Sequence, residues 1–203
     1  MSLSLRSITC ARGGRVLFRD LTAHVGRGEV CLVRGANGSG KSSLLRLVSG
    51  LLRPMAGQVV WDGADEEESV QSQLHFLGHL DALKPSMSVR ETLSFWAQMM
   101  GGQKGVNAAI EAWHLGTLAT LPCGVLSAGQ RRRVALAQLS LTDRPLWLLD
   151  EPTGPLDQAG VDLVARAVKR HCGNGGTALI ATHRDLDVGE AQVLDLGPGG
   201  REA

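Results

Sequence analysis

The sequence contains few aromatic residues and carries almost no net charge. Only 3% of its 203 residues are aromatic, none is tyrosine, and the formal net charge is +1. A chain so close to neutral has no overall field that would attract nucleic acid or an anionic lipid surface. It also has no run of the roughly 18 apolar residues that a membrane-spanning helix requires. We therefore expect no nucleic acid as a partner and no crossing of a membrane by this chain alone.

Closely spaced cysteine pairs are also lacking, and we expect no secretory signal peptide. The four cysteines, Cys10, Cys31, Cys123 and Cys172, form no Cys-x-x-Cys pair and no other metal-ligand spacing. Scattered thiols of this kind are typical of a reducing compartment. The N-terminal residues have no long apolar core and include Arg6, so they do not predict a secretory signal peptide.

Apolar patterns predict several strands. Residues 3–10 alternate and predict an edge strand, two strand-like stretches follow within residues 15–33, and another spans residues 58–61. Continuous apolar runs at residues 146–149 and 178–182 are typical of buried parallel strands.

Helices separate these strands. They are predicted at residues 41–48 and 159–172, and residues 88–140 are helical in character. Strands that alternate with helices predict an α/β fold with a mostly parallel sheet. We expect one domain over residues 1–203, with an antiparallel β edge and a helical subdomain inserted at about residues 80–140.

The sequence GANGSGKS, residues 35–42, matches G-x-x-x-x-G-K-[ST] between a predicted strand and a predicted helix, which is the context that this phosphate loop requires. Glycines let backbone N–H groups converge on phosphate oxygens at a helix N-terminus. Lys41 can reach the β- and γ-phosphates and Ser42 can bind Mg²⁺, so ATP and Mg²⁺ are the predicted cofactors. The predicted nucleotide-binding residues here are Gly35, Ala36, Asn37, Gly38, Ser39, Gly40, Lys41, Ser42 and Ser43.

Two acidic residues and a histidine follow buried strands further along the chain. Asp150 and Glu151 end the run LWLLDE, and His183 ends ALIATH. Asp150 is predicted to help hold Mg²⁺, and Glu151 to accept a proton from an attacking water. At the end of a parallel strand, His183 is predicted to contact the γ-phosphate and orient that water.

The turn LSAGQ contains a third feature. Ser127 and Gln130 have the S-x-x-Q spacing of a capping box, and the small residues between them leave a second helix N-terminus open to phosphate. One chain has one phosphate loop, so the second surface indicates that two copies face each other.

Together these motifs resemble those of ABC-type ATPases. The phosphate loop, LSAGQ, LWLLDEP, the segment GPLD at residues 154–157 and His183 occur in that family's order over about residues 3–197. The resemblance implies a P-loop NTPase of the ABC type that pairs head to tail with a second copy. It assigns Ser127, Gly129 and Gln130 to the partner's γ-phosphate, and Asp157 to a loop between the two sites.

A narrower resemblance is carried by LHFLGHLDALKPSMSVRETL and LSAGQRRRVALA. These stretches are similar to the ATP-binding subunits of cytochrome c maturation exporters. The resemblance implies a peripheral protein on the cytoplasmic face of the bacterial inner membrane, with membrane-spanning partner subunits and haem or another substrate.

Two positions depart from the general ABC pattern. His79 stands where most members have a glutamine that contacts Mg²⁺ and water, and imidazole is a poor Mg²⁺ ligand. Histidine at this position is a feature of the cytochrome c maturation members. Arg12 stands where most members stack an aromatic ring on adenine, a contact that a guanidinium can also make.

Other interpretations are compatible with parts of the sequence. The alternative functions are the ATPase subunit of another ABC transporter, a soluble ABC-type ATPase acting on nucleic acid or ribosomes, and a nucleotide-binding module without hydrolysis. The soluble relatives have long coiled-coil inserts or two nucleotide units in one chain, and this sequence has neither. Glu151 argues against the module without hydrolysis. A metal pair of His75 and His79 is disfavoured because a strand into a loop is predicted there. Residues 131–133, all arginine, are predicted to form a solvated or interface face, and the acidic residues 65–68 a solvated loop.

Overall fold

Eight strands form two sheets in the computed structural model, within the residues it describes, 2–63, 69–101 and 105–197. The predicted acidic loop at residues 65–68 lies outside these ranges. Five strands make a sheet of order β5-β6-β7-β3-β8 in which all neighbours run parallel. The parallel strands are β3 (Val30–Arg34), β5 (Leu74–Leu77), β6 (Leu146–Asp150), β7 (Thr177–Ala181) and β8 (Gln192–Asp195).

The central strands β6 and β7 are buried at every position, as their continuous apolar runs predicted. β8 was not predicted. It is four residues long, lies at the sheet edge, and leaves Val193 63% exposed, so it has neither a continuous nor a clearly alternating apolar pattern.

Three antiparallel strands form the second sheet, of order β2-β1-β4. They are β1 (Ser2–Arg12), β2 (Arg15–Val25) and β4 (Ala56–Asp62). The prediction that residues 3–10 form an edge strand was wrong, because β1 lies between the other two strands. The β1–β4 pairing joins residues about fifty positions apart, such as Leu5 and Val59, and alternation alone does not reveal such a distant partner.

Five helices occur in the described residues: α1 (Lys41–Val48), α2 (Val89–Met99), α3 (Val106–Ala112), α4 (Ala128–Ala137) and α5 (Gln158–Gly173). Helix α4 begins at the predicted capping box, in which Ser127 Oγ accepts from the Gln130 N–H at 3.2 Å and the Ser127 N–H donates to Gln130 Oε1 at 2.8 Å. No helix among the described residues combines the length and the hydrophobicity needed to span a membrane.

The parallel sheet separates two apolar layers because successive side chains point to opposite faces. Leu149 and Ile180 pack with the helical layer, which includes Leu93. Leu148 and Leu179 pack on the other face with α1 and the antiparallel sheet. The parallel strands are thus covered on both faces, which explains why their sequences are apolar throughout.

His75 and His171 both contact the indole ring of Trp147 in β6. His171 lies flat on the indole, with ring centroids 4.1 Å apart and planes 8° apart, and His75 meets it edge-on. Nε2 of His75 is 3.2 Å from the Thr142 carbonyl oxygen, and Nε2 of His171 is 3.2 Å from that of Thr177. Burial lowers the pKa of each histidine to about 4.

These depressed pKa values predict acid lability. The unfolded chain, with histidine pKa near 6.5, binds protons that the folded chain does not, so the free energy of unfolding falls as pH drops from about 6.5 to about 4. Each histidine contributes about 1–3 kcal/mol of this loss. Urea unfolding at about pH 7 and about pH 5 measures it. His171→Phe keeps a flat ring on Trp147 and should remove about half of the histidine contribution; an unchanged pH dependence would contradict this prediction.

Candidate nucleotide-binding and catalytic site

The phosphate loop, residues 35–42, connects β3 to α1 and needs glycine at two of its positions. Gly40 is the N-cap of α1 with φ of 105°, and a Cβ there would lie 2.9 Å from Cε1 of Phe18. Gly35 has φ of 141°, and a Cβ there would lie 2.6 Å from Ser39 Oγ. Both backbone conformations favour glycine, and both positions lack room for a side chain. The loop therefore presents backbone N–H groups at the start of α1.

Lys41 is the first residue of α1 and is only 8% exposed. Its Nζ donates hydrogen bonds to the carbonyl oxygens of Gly35 at 2.9 Å and Ala36 at 3.1 Å. The ammonium group is thus already held inside the curve of the loop. Ser39 Oγ is buried, and among the described residues it has no hydrogen-bond partner. A phosphate group in the loop would supply acceptors for both side chains.

Asp150 ends β6 and is 4% exposed. Within the described ranges no hydrogen bond or ion pair reaches its carboxylate, although its carbonyl oxygen is bonded. Asp150 lines the cleft described below, and its carboxylate oxygens are available to a cation there, because carboxylate oxygens are ligands that Mg²⁺ accepts. No cluster of three or more His, Cys, Asp or Glu side chains is found in the described part of the chain. Mg²⁺ does not need one, since it commonly takes one or two protein ligands together with phosphate oxygens and waters.

Glu151 follows with a left-handed backbone, φ of 46°, which is strained for a residue with a side chain. Its N–H donates to the Ala181 carbonyl at 2.8 Å, and its Oε2 accepts from the His183 N–H at 3.4 Å. Oε1 lies 3.3 Å from His183 Nε2. That contact lacks hydrogen-bond alignment, since Oε1 is buried without a partner in the described structure, and it is an ion pair only when His183 is protonated. Glu151 and His183 are therefore adjacent, so one water could contact both side chains.

Residues from six separate segments line one cleft of ≈ 590 Å³, within the usual size range of small-molecule sites. We call it the nucleotide cleft. Most of the predicted site residues border it, whereas Gly35, Ala36 and Ser39 lie in the phosphate loop without lining it. The lining residues are Arg12, Leu17, Asn37, Gly38, Gly40, Lys41, Ser42, Ser43, His79, Asp150, Glu151 and His183.

The turn at residues 127–130, which we call the signature turn, does not line the nucleotide cleft of its own chain. Ser127 is exposed, and Gly129 approaches the loop after β6, where an added Cβ would lie 3.0 Å from the Pro155 carbonyl oxygen. Asp157 caps α5, its Oδ1 accepting from the Gly160 N–H at 2.9 Å. The signature turn therefore packs against the loop to Asp157, and Ser127, Gly154 and Asp157 are exposed there, apart from the nucleotide cleft.

Two arginines next to predicted site residues were missed by sequence reasoning. Arg184, directly after His183, donates to the carbonyl oxygens of Thr153 at 2.8 Å and Leu156 at 3.0 Å. Arg132 is 2% exposed, so the prediction of a solvated or interface face for residues 131–133 was wrong at its central position. Arg132 lies three and four positions before Ala135 and Leu136, both buried, and this spacing was the signal that it faces inward.

Comparison with known proteins agrees with this geometry. The family profile described as "ABC transporter" matches residues 18–154, more than half of the chain. A putative ABC transporter ATP-binding protein from Pyrococcus furiosus superimposes with a TM-score of 0.83 over 97% of this chain and 98% of its own, at 23% identity. A dimeric ATP-binding cassette in a post-hydrolysis state, bound to ADP and Pi, has a TM-score of 0.76 over 90% of this chain and 88% of its own, also at 23% identity.

These likenesses and the nucleotide cleft define an ATP-hydrolysing subunit of the ABC type. A curated relative from Rhodopseudomonas palustris (strain BisB5), named cytochrome c biogenesis ATP-binding export protein CcmA, is 46% identical over 194 residues, which are 95% of this chain and 97% of the relative. The chain therefore belongs to the ABC transporter family, in the group of the CcmA proteins.

Proposed function

We propose that this chain is the ATP-hydrolysing subunit of a membrane complex for c-type cytochrome biogenesis, working with Mg²⁺ and a second copy of itself at the cytoplasmic face of the bacterial inner membrane. The observation that carries the ATPase part is the convergence of Lys41, Asp150, Glu151 and His183 on one cleft. The pathway is proposed from the name of the relative and from its 46% identity over nearly the whole chain.

In this proposal the chain's own residues divide the work of phosphoryl transfer to water. Lys41 and the loop N–H groups stabilise charge on the β- and γ-phosphates. Ser42 and Asp150 would hold Mg²⁺, which would neutralise phosphate charge when bound. Glu151 accepts the proton as the water oxygen attacks the γ-phosphorus, the bond to the bridging oxygen breaks, and ADP leaves with phosphate as the other product. His183 orients the water beside Glu151.

The second copy is proposed to complete the site. The signature turn has a capped helix N-terminus, an exposed Ser127 and no access to its own cleft, which favours a nucleotide held by a neighbouring chain. Ser127, Gly129 and Gln130 would then contact the partner's γ-phosphate, and Asp157 would border both sites. Arg12 is exposed at the end of β1 and lines the cleft, where its guanidinium can stack on the adenine base.

A membrane-spanning partner is supported by an apolar groove of ≈ 490 Å³ beside the nucleotide cleft. Its lining includes the exposed Leu51 and Leu80, and also Trp96 and Met100 of the α2 region. His79 lines both the groove and the cleft, so a segment seated in the groove would touch a residue of the nucleotide site. We propose an apolar cytoplasmic segment of the membrane subunit as the occupant.

The test is capture of membrane proteins by the full chain. Affinity-tagged chain is purified from its native membranes in a gentle detergent, and the co-purifying proteins are identified by mass spectrometry. Leu51→Asp should lose at least about ninety per cent of the captured subunit, because a charge in the groove must be desolvated on docking. Val193→Asp is the control, since Val193 is 63% exposed against 64% for Leu51 and lies on β8, at the other edge of the sheet.

The identity of the captured subunit decides the pathway. Cytochrome c maturation membrane proteins support the whole proposal. A different permease would keep the ATPase role and contradict the pathway, and ribosomal or DNA-bound partners without a membrane protein would contradict the transporter role. Equal capture by Leu51→Asp and Val193→Asp would contradict the groove as the docking site.

A further inference from the structure

Arg132 is a buried cation whose hydrogen-bond donors all point at backbone or at one acid. Its Nε donates to the Pro152 carbonyl at 3.1 Å. One terminal nitrogen donates to the Asp150 and Glu151 carbonyls at 2.7 and 3.0 Å. The other donates to the Gly78 carbonyl at 2.9 Å and to Asp81 Oδ1 at 3.0 Å. The planar guanidinium thus uses all three nitrogens in fixed directions, which lysine could not reproduce.

These acceptors belong to two segments that carry predicted site residues. Residues 150–152 end β6 and include the two acids, and residues 78–81 form the loop that includes His79. Arg132 itself lies on α4, which begins at the signature turn. The Arg132 side chain therefore joins three parts of the protein. They are helix α4, the segment with Asp150 and Glu151, and the loop at residues 78–81 beside the apolar groove.

Through its hydrogen bonds next to Glu151, Arg132 holds the backbone of the proposed general base. The Asp150 and Glu151 carbonyls flank the Glu151 Cα, so Arg132 holds the peptide planes on both sides of it. Glu151 has a strained left-handed backbone, and such a conformation persists only when its surroundings hold it. Those two planes set the direction of the Cα–Cβ bond from which the Glu151 side chain extends. Arg132 does not touch the carboxylate or any reacting atom.

Through its hydrogen bonds to Gly78 and Asp81, Arg132 also contacts the lining of the apolar groove. Gly78 and Asp81 line the apolar groove together with His79 and Leu80. A displacement of this loop by a docked segment would move the acceptors of one guanidinium nitrogen. Because the guanidinium is rigid, the displacement would reach the carbonyls held by the other nitrogen.

We propose that Arg132 is a positioning residue that sets the Glu151 carboxylate for hydrolysis and couples it to the loop at residues 78–81. The inference rests on the proposed ATPase function and adds to it the route between the groove and the base. It predicts that replacing the planar guanidinium of Arg132 slows the chemical step. The affinity for ATP, which depends on the phosphate loop, should be unchanged.

The first test compares Arg132→Lys with the same substitution at Arg133. Arg133 is on the same helix, and its single hydrogen bond within the described part of the chain is a 3.3 Å contact with the exposed His114 carbonyl. We expect kcat per nucleotide-bound site to fall at least about tenfold in Arg132→Lys, since misplacement by about 1 Å can cost more than that, with KM and Kd for ATP changed less than about threefold. Arg133→Lys should stay within about twofold of wild type on every measure.

A purely structural role would give a different pattern. Arg132→Lys would then melt at a lower temperature and show fewer ATP-binding sites, but the turnover per bound site would equal that of wild type, and that result would overturn the inference. A parallel fall of kcat and ATP affinity would also overturn it, because Arg132 would then support the whole cleft. Absence of turnover in the wild-type chain would contradict the proposed function and this inference with it.

Asp81→Asn supplies a second test that does not depend on the folding of the arginine variant. It keeps the acceptor oxygen but removes the charge at the outer end of the link, where Asp81 is 23% exposed. We expect kcat to fall about threefold or more in the wild-type background and not to fall further in Arg132→Lys. Equal effects in both backgrounds, or no effect in wild type, would contradict the coupling.

Discussion

Replacing Glu151 by glutamine should reduce ATP turnover by about 10²–10⁴-fold, the contribution typical of a general base, while ATP binding is retained. Glutamine has nearly the same shape, so the peptide planes held by Arg132 and the contact with the His183 N–H can persist. What it loses is the ability to accept the proton of the attacking water. Phosphate release at saturating ATP and a nucleotide-binding titration, run on the same preparation, measure the two effects separately.

The same variant should accumulate as an ATP-bound dimer. Two chains that close around two ATP molecules are expected to separate once ATP has been hydrolysed to ADP and phosphate. When hydrolysis is blocked, the closed dimer should therefore persist. Light scattering should give twice the chain mass with ATP and Mg²⁺, and the monomer mass with ADP. Glu190→Gln is a matched control on an exposed residue outside the nucleotide cleft, and it should hydrolyse ATP at the wild-type rate. A Glu151→Gln chain that stays monomeric with ATP would contradict the paired site.

Removing the Lys41 ammonium should weaken ATP binding by about a hundredfold or more. Charge-assisted hydrogen bonds to phosphate are worth about 1.5–3 kcal/mol each, and every 1.4 kcal/mol is tenfold in Kd. Lys41 Nζ already sits against the Gly35 and Ala36 carbonyls, so little side-chain ordering is needed when phosphate enters the loop. Lys41→Ala removes the side chain, and Lys41→Met keeps its apolar stem, so a similar loss in both assigns the effect to the charge.

Lys169→Ala is the control for this prediction. Lys169 pairs with Asp187 at 2.9 Å on the outside of α5, with 43% of its side chain exposed. Its removal takes away one positive charge without touching the cleft, so the Kd for ATP should change by less than about twofold, as for a screened surface charge. Calorimetric titration with ATP and Mg²⁺ gives the Kd of the wild type and of the three variants. Wild-type affinity in Lys41→Met would rule out the phosphate role of the ammonium.

The cysteines illustrate how burial decides chemistry that composition leaves open. All four are free and buried, and burial raises the pKa of Cys31 to about 12 and that of Cys172 to about 11. Thiolate is the reactive form, so the Cys31 and Cys172 thiols are poor nucleophiles at neutral pH. Spacing alone had excluded a metal site, and the structure gives the reason why the same thiols can act as small apolar side chains.

The sequence by itself determined the parts of this protein that depend on local chemistry. A phosphate loop needs its glycines, lysine and serine within eight residues, and the S-x-x-Q cap of α4 needs two side chains three positions apart. Continuous apolar runs identified β6 and β7 because both faces of a parallel sheet are buried. The motifs in their order also sufficed to indicate the ABC family, since each is defined by residue type and short spacing.

Only the tertiary structure decided which distant segments meet. It placed β1 between β2 and β4, and it brought His79 to the boundary of the nucleotide cleft and the apolar groove. It also showed that Arg132, expected at the surface, is buried and bonds three separate segments. Arg184 likewise holds the loop at residues 153–156. The helical spacing to Ala135 and Leu136 does indicate that Arg132 faces inward. The acceptors of both arginines are mostly backbone carbonyls, which every residue possesses, so no residue pattern identifies those acceptors in advance. The physical reason is that the sequence gives the type of each side chain, whereas the tertiary structure determines which backbone carbonyls lie within hydrogen-bonding distance of it.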